Sequence, residues 1–414
     1  MTLARHLAAA AAAAVVIALI SVQLGSYRDY QIAEVAAYVI AVAGLTVLIG
    51  LSGQISVGNG AFMALGAYAT ALLQLRVPWL PAHLGGWSIV VIFLISVVVT
   101  AAGGAVVGVA AARLRGPYLA GATLLLAVAF PAAVADRYAG VFGGDQGLGV
   151  TVTTPAALGP AFPPTRWLTW LTCAAALAGL VLLANLARSR VGRSWRALRD
   201  DEVAAALSGI NVARLRVLAF VVSAASAGLG GSLLAVVSSI VSPGAYTLSL
   251  SIGLLTAAVI GGLGSLLGAV WGSLLLALIP GYLSNVATSH GGRLFGLPSG
   301  ATSFVPIAAY GVVLIVVMLA FPSGIQGGLR RLFGPVAPVA AGPLARLARR
   351  GRRAPAGLPA SRHGLAAARH RGSGPRGDDR RGQAGEPSRR SGRRHARTRD
   401  THQRQSEHQE EGTR

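Results

Sequence analysis

No lysine occurs anywhere in the 414 residues; all 36 cationic side chains are arginine. A P-loop ATPase needs the pattern G-x-x-x-x-G-K-[ST], whose lysine reaches the nucleotide phosphates. This sequence cannot supply that site, so any ATP hydrolysis linked to it belongs to another chain. Charge of either sign is scarce. Charged residues make up 12% of the sequence, against about 25% in an ordinary soluble protein. Cysteine is represented by Cys173 alone. One thiol excludes a disulfide framework and a cysteine-based metal site, and within an apolar run it reads as a small buried hydrophobe. Only His6, His83 and His290 precede residue 334, and none has a partner at metal-ligand spacing. No catalytic constellation, metal site or cofactor motif emerges, and the sequence points away from an enzyme.

A further absence divides the chain. From Pro335 to Arg414 there is no Phe, Trp, Tyr or Ile, while Arg, Gly, Pro and Ser dominate. Such a segment cannot bury enough apolar surface to offset its ordering entropy, so residues 334–414 are expected to form a disordered Arg/Gly/Pro-rich tail. It is either simply solvated or in contact with anionic membrane lipid. With no aromatics for base stacking and no folded module, nucleic acid is not an expected partner.

What the sequence does have is apolar runs. Candidate apolar stretches for crossing a bilayer lie near 7–25, 32–50, 59–75, 88–112, 118–136, 166–187, 213–238, 249–261, 266–283 and 303–321. The first, "ARHLAAAAAAAVVIALISVQ", is long enough for an uncleaved first span, and no clear A-x-A site follows it. The eighth and ninth are separated only by "GGLGSLLG" and form either two short spans or one broken one. Spans in lipid must satisfy their own backbone polar groups, and no alternating barrel pattern appears. The fold class is therefore an all-α polytopic membrane bundle of about ten helices, eight at the fewest, occupying residues 1–333. Asp29, Glu34, Asp136 and Asp145 all sit near expected span ends, which weakens a proton-coupled reading. Sodium held by backbone carbonyls at a broken helix stays open, so an ion-coupled secondary transporter is an alternative.

One polar segment interrupts the apolar chain, Gly192–Arg216, "GRSWRALRDDEVAAALSGINVARLR". With this segment in the cytoplasm, ten spans place 12 arginines on cytoplasmic ends and 5 in outer loops. That asymmetry obeys the positive-inside rule and puts both termini in the cytoplasm. Trp195 to Gly209 is expected to form one helix. Trp195, Leu198, Ala205 and Ala206 would make its small apolar side, Arg199, Asp200 and Glu202 part of its charged remainder, and Gly209 its stop. Such a helix suits docking into a groove on another protein, or is an ordinary solvated loop helix.

At this segment the chain resembles a known family. "GRSWRALRDDEVAAALSGINVARLRVLAFVVSAASAGLGGSLLA" (Gly192–Ala235) is similar to the coupling region of permease subunits of branched-chain amino acid ABC importers, the LivM type. "GLSGQISVGNGAFMALGAYATALL" (Gly50–Leu73), "ARLRGPYLAGATLLLAVAF" (Ala112–Phe130), "GGDQGLGV" (Gly143–Val150), "AVIGGLGSLLGAVWGSLLL" (Ala258–Leu276) and "GVVLIVVMLAFPSGIQG" (Gly311–Gly327) resemble other family segments in the same order. The likeness covers roughly residues 30–330. One departure is clear: the general ABC-permease pattern has Glu-Ala-Ala, three residues, then Gly, whereas Val203-Ala204-Ala205 precedes Gly209 here, with Glu202 one position early.

The resemblance implies a membrane-spanning subunit in the bacterial cytoplasmic membrane. It would form the path with a second permease subunit, receive substrate from an extracytoplasmic binding protein, and be driven by two separate ATPase subunits. Trp195, Leu198, Arg199, Asp200, Glu202, Ala205 and Gly209 would couple to the ATPase. In that picture Arg199 and Glu202 supply polar contacts at the ATPase groove and Leu198 and Ala205 supply packing. Leu, Ile and Val are the implied substrates, with urea or short amides as the alternative. "SGQISVGNG" (Ser52–Gly60) would be a broken helix presenting Gln54, Ser56 and Asn59 to the path, or else a short surface loop.

Overall fold

The computed structural model describes residues 2–23, 25–77, 87–114, 117–152, 154–155, 163–294, 305–321 and 324–328. The tail expected from residue 334 onward lies outside the described residues, as does His83. The described part of each apolar stretch named above lies mainly on helix. In chain order these are α1 (Thr2–Gln23), α2 (Ser26–Ser52), α3 (Asn59–Arg76), α4 (Ser88–Arg113), α5 (Pro117–Ala132), α6 (Pro164–Arg188), two shorter polar helices α7 (Arg190–Asp200) and α8 (Glu202–Leu207), then α9 (Val212–Ser238), α10 (Leu248–Gly261), α11 (Leu266–Leu294) and α12 (Val305–Ala320). Among the described residues, 7 helical segments are long and apolar enough to cross a membrane. The chain is thus an all-α membrane protein.

The centre of the bundle is α2 and α9, which pack on each other, with α3 and α4 closing on α9 and α6 and α11 on α2. Small residues permit this. A Cβ at Gly231 of α9 would overlap the Met63 carbonyl of α3, and one at Gly66 of α3 would overlap the Gly228 carbonyl of α9. Without a hydrophobic drive between helices in lipid, such close backbone approach and interhelical hydrogen bonds hold the bundle. Hydroxyls provide those bonds at the same crossing. Ser96 of α4 donates to the Gly66 carbonyl at 2.8 Å, and its Oγ lies 2.7 Å from that of Ser232 of α9.

"GGLGSLLG" resolves into a turn between two helices. Gly262 (φ 113°) and Gly264 (φ 85°) take backbone conformations that side chains disfavour, and α11 turns back along α10. At the other end of α10, the chain dips into the bundle before the helix starts. Ile240–Val241 pairs antiparallel with Leu148–Gly149, and a 3₁₀ turn at Pro243–Tyr246 buries Tyr246. Pro131 sits near the end of α5 and is followed directly by a π-helical turn, Ala133–Arg137. Proline cannot donate to the helical ladder, so a local re-pairing of this kind is expected beside it.

Candidate functional site

Two places combine polarity with position: the break between α2 and α3, and the pair α7–α8. They are neighbours.

Helix α2 ends on Gly53 (φ 73°), whose N–H caps the Ile49 carbonyl. Residues 53–58 are not helical, and α3 starts only at Asn59. The chain re-enters the bundle here. Gln54 Nε2 donates to Ser52 Oγ at 3.0 Å and to the Arg216 carbonyl at 3.5 Å. The Val57 N–H donates to Thr123 Oγ1 of α5 at 3.0 Å, and the Gly58 N–H donates to Ser56 Oγ at 3.3 Å. Asn59 Nδ2 donates to Ser223 Oγ of α9 at 3.3 Å, and the Gly60 N–H to Ser251 Oγ of α10 at 3.1 Å. Of the backbone donors that open α3, the Gly60 N–H is met by Ser251 of α10, while hydroxyls of α5 and α9 bond the Val57 N–H and the Asn59 side chain beside it. Gln54, Ser56 and Asn59 are exposed by 7%, 0% and 1%. Gly53 and Ile55, which flank Gln54, are exposed, so the stretch alternates between the surface and the bundle interior. Gln54 Oε1 is buried without a hydrogen-bond partner among the described residues.

Further along α3 stands a residue the sequence reading missed. The Tyr68 ring meets Phe142 edge-on at 5.3 Å and Phe130 at 6.5 Å between centroids. Its hydroxyl is buried and has no partner among the described residues. No local sequence pattern marks it, because the rings converge from separate helices.

The polar segment is not the single helix expected from Trp195 to Gly209. Asp201 leaves helical geometry (φ −157°, ψ 111°), and its carboxylate accepts from the N–H groups of Val203 and Ala204 at 2.9 and 3.0 Å. An aspartate offered as an N-cap starts a new helix, and α7 ends where α8 begins. Gly209 (φ 80°) does stop α8, its N–H bonded to the Ala206 carbonyl.

α7 is fastened to the bundle at several points. Trp195 is fully buried, and its Nε1 donates to the Leu215 carbonyl of α9 at 3.0 Å. The Arg196 guanidinium donates to the Ala187 carbonyl of α6 at 2.7 Å. The Arg199 guanidinium donates to the Gly50 carbonyl of α2. From α8, Glu202 Oε2 accepts from Arg216 of α9 at 2.6 Å.

These contacts redistribute the roles expected from sequence. Leu198 and Ala205 are buried against their own chain, and Trp195 with them, so none offers packing to a partner in this structure. Arg199 and Glu202 are likewise engaged internally. Asp200 is exposed, and Ala206 lies on the exposed side rather than with Ala205. The exposed apolar side chains are instead Val203 and Leu207, at 68% and 85%. Their spacing of four residues puts them together on one helix face, a signal present in the sequence and overlooked beside the larger Trp195.

Comparison with known proteins bears on both places. The family described as branched-chain amino acid transport system / permease component matches residues 27–322, which include the α2–α3 break and α7–α8. The chain belongs to this family. The family is one of transport permeases, in keeping with the non-enzymatic reading. Two relatives are each described as high-affinity branched-chain amino acid transport system permease protein LivM. The one from Salmonella typhimurium (strain LT2) is 31% identical over 208 residues, 45% of this chain and 47% of the relative. The one from Escherichia coli (strain K12) is 31% identical over 209 residues, with the same shares. The chain thus spans about half the length of the curated relatives it matches. No solved structure matches it.

Proposed function

We propose that this permease is a membrane subunit of an ATP-binding-cassette importer for Leu, Ile and Val. It would pair with a second permease subunit in the bacterial cytoplasmic membrane, with both termini and α7–α8 in the cytoplasm. Two ATPase subunits would bind at α7–α8, and an extracytoplasmic binding protein would deliver substrate from the opposite side. Family membership supports the transport class, and a sequence without lysine has no P-loop of its own, which supports a reading in which separate subunits hydrolyse ATP.

The observation that carries the coupling assignment is the construction of α7–α8. One face exposes Val203 and Leu207, while Trp195, Arg196, Arg199 and Glu202 tie the pair to the ends of α9, α6 and α2. A load applied to α7–α8 is passed to α9, α6 and α2 by these bonds, of which those of Trp195, Arg199 and Glu202 are partly buried. Arg216 continues the connection: its side chain holds Glu202 and its carbonyl accepts from Gln54. Displacing α9 relative to α3 would then separate Asn59 from Ser223 and expose the polar side chains that are buried here. In this mechanism Leu207 and Val203 dock, Arg199 and Glu202 transmit, Asp200 and Gly209 shape the exposed surface, and Gln54, Ser56 and Asn59 gate. The largely apolar bundle suits substrates with aliphatic side chains.

A photo-crosslinkable residue at Leu207 in the assembled complex tests the docking. Labelling of an ATPase subunit from position 207, and not from the exposed position Val106 within α4, is expected. Labelling of no ATPase from 207 would remove α8 from that role.

A further inference from the structure

Away from the α2–α3 break, a cavity of about 810 Å³ lies among α1, α2, α6, the start of α11 and α7. Its volume is within the roughly 300–1,000 Å³ of small-molecule sites. Its two ends differ in chemistry. One end is apolar, walled by Ile17, Ile32 and Cys173. The other end, beside α7, carries His6, Arg188 and Arg196, and no acidic side chain lines the cavity. Ser265 and Leu266, where α11 starts, stand at this charged end as well, and a helix start carries partial positive charge. His6 Nδ1 lies 2.8 Å from Asn185 Oδ1, which ties α1 to α6 there. Arg196 spends one nitrogen on the Ala187 carbonyl, and a guanidinium has further donors to offer.

A long apolar groove with two arginines and a helix start at one end matches one kind of molecule available in a bilayer. We propose that this cavity holds an anionic phospholipid from the leaflet on the α7–α8 side. Its phosphate would lie against Arg188, Arg196 and the start of α11, and an acyl chain would run between α1 and α2 toward Ile17. Charge complementarity selects this occupant over a zwitterionic lipid, because no acid is present to balance a choline. Since α1 packs chiefly on α6, the lipid would also fill the gap between α1 and α2.

The test uses the full chain purified in mild detergent, titrated with phosphatidylglycerol or phosphatidylcholine and weighed by native mass spectrometry. The wild type is expected to retain one phosphatidylglycerol at about tenfold lower lipid concentration than phosphatidylcholine, a difference of about 1.4 kcal/mol. Arg188→Gln combined with Arg196→Gln is expected to abolish that preference. Ala13→Trp, which fills the groove and leaves the charges in place, is expected to weaken retention of both lipids. Equal retention of the two lipids by the wild type overturns the proposal even if a variant fails to fold. So does a preference that survives the paired arginine substitution, or a dimer that excludes lipid and is broken by Ala13→Trp.

Discussion

Leu207→Ala should weaken ATPase binding while leaving the permease fold intact. Leu207 is 85% exposed in the isolated chain, so nearly its whole side chain is available to a partner. Shortening it to alanine removes three carbons, each contributing about 0.8 kcal/mol when buried. Allowing for incomplete burial, the loss is about 2 kcal/mol, or roughly 30-fold in Kd. The permease itself loses almost nothing, because the removed atoms touch little of it. Trp195→Ala is the contrast, since that ring is fully buried and its removal should cost about 3–5 kcal/mol of stability. The assay is titration of the purified ATPase onto detergent-solubilised permease, with thermal unfolding measured in parallel. If Leu207→Ala binds within twofold of wild type, or melts as early as Trp195→Ala, the division into a docking face and an anchoring face is wrong.

Glu202→Gln should reduce ATP-coupled uptake with little change in melting, since a half-exposed ion pair contributes only about 0.2–1 kcal/mol to stability. The exchange Glu202→Arg with Arg216→Glu should restore part of the uptake, and failure of both effects would detach this pair from coupling. Gly231→Val should lower stability by about 1–3 kcal/mol or more, read as a melting shift, because its side chain would meet the Met63 carbonyl. Tyr68→Phe removes a buried hydroxyl that has no partner among the described residues, so melting should hold or rise slightly. A fall in substrate affinity on that background would place the hydroxyl on the path, and unchanged uptake would take it off.

The helices were legible because their signals are long and local. Ten apolar runs and the near absence of charge within them leave few alternatives in a membrane. "GGLGSLLG" could be read either way, and the decision lies in Gly262 and Gly264, whose positive φ lets the chain reverse. The polar segment was legible as an excursion but not in its orientation. Trp195 and Leu198 read as a docking face because periodicity shows that residues share a side, not which surface that side meets. The Asp201 break carried a recognisable cap signal, masked by the adjacent Asp200 and Glu202. At the α2–α3 break, Gln54, Ser56 and Asn59 stood out as polar residues in an apolar setting. Their partners Thr123, Ser223 and Ser251 are distant in sequence and had no signal of their own. Tyr68 was invisible for the same reason.

Transport by the assembled complex tests the central claim most directly. The permease, its sister subunit, the ATPase subunits and the binding protein are reconstituted in liposomes with ATP on the ATPase side, and radiolabelled leucine, isoleucine, valine and urea are offered in turn. The account predicts accumulation of the three aliphatic amino acids that requires ATP and stops when the ATPase is omitted. Uptake by this chain alone regardless of ATP, or ATP-dependent uptake confined to urea, would contradict it.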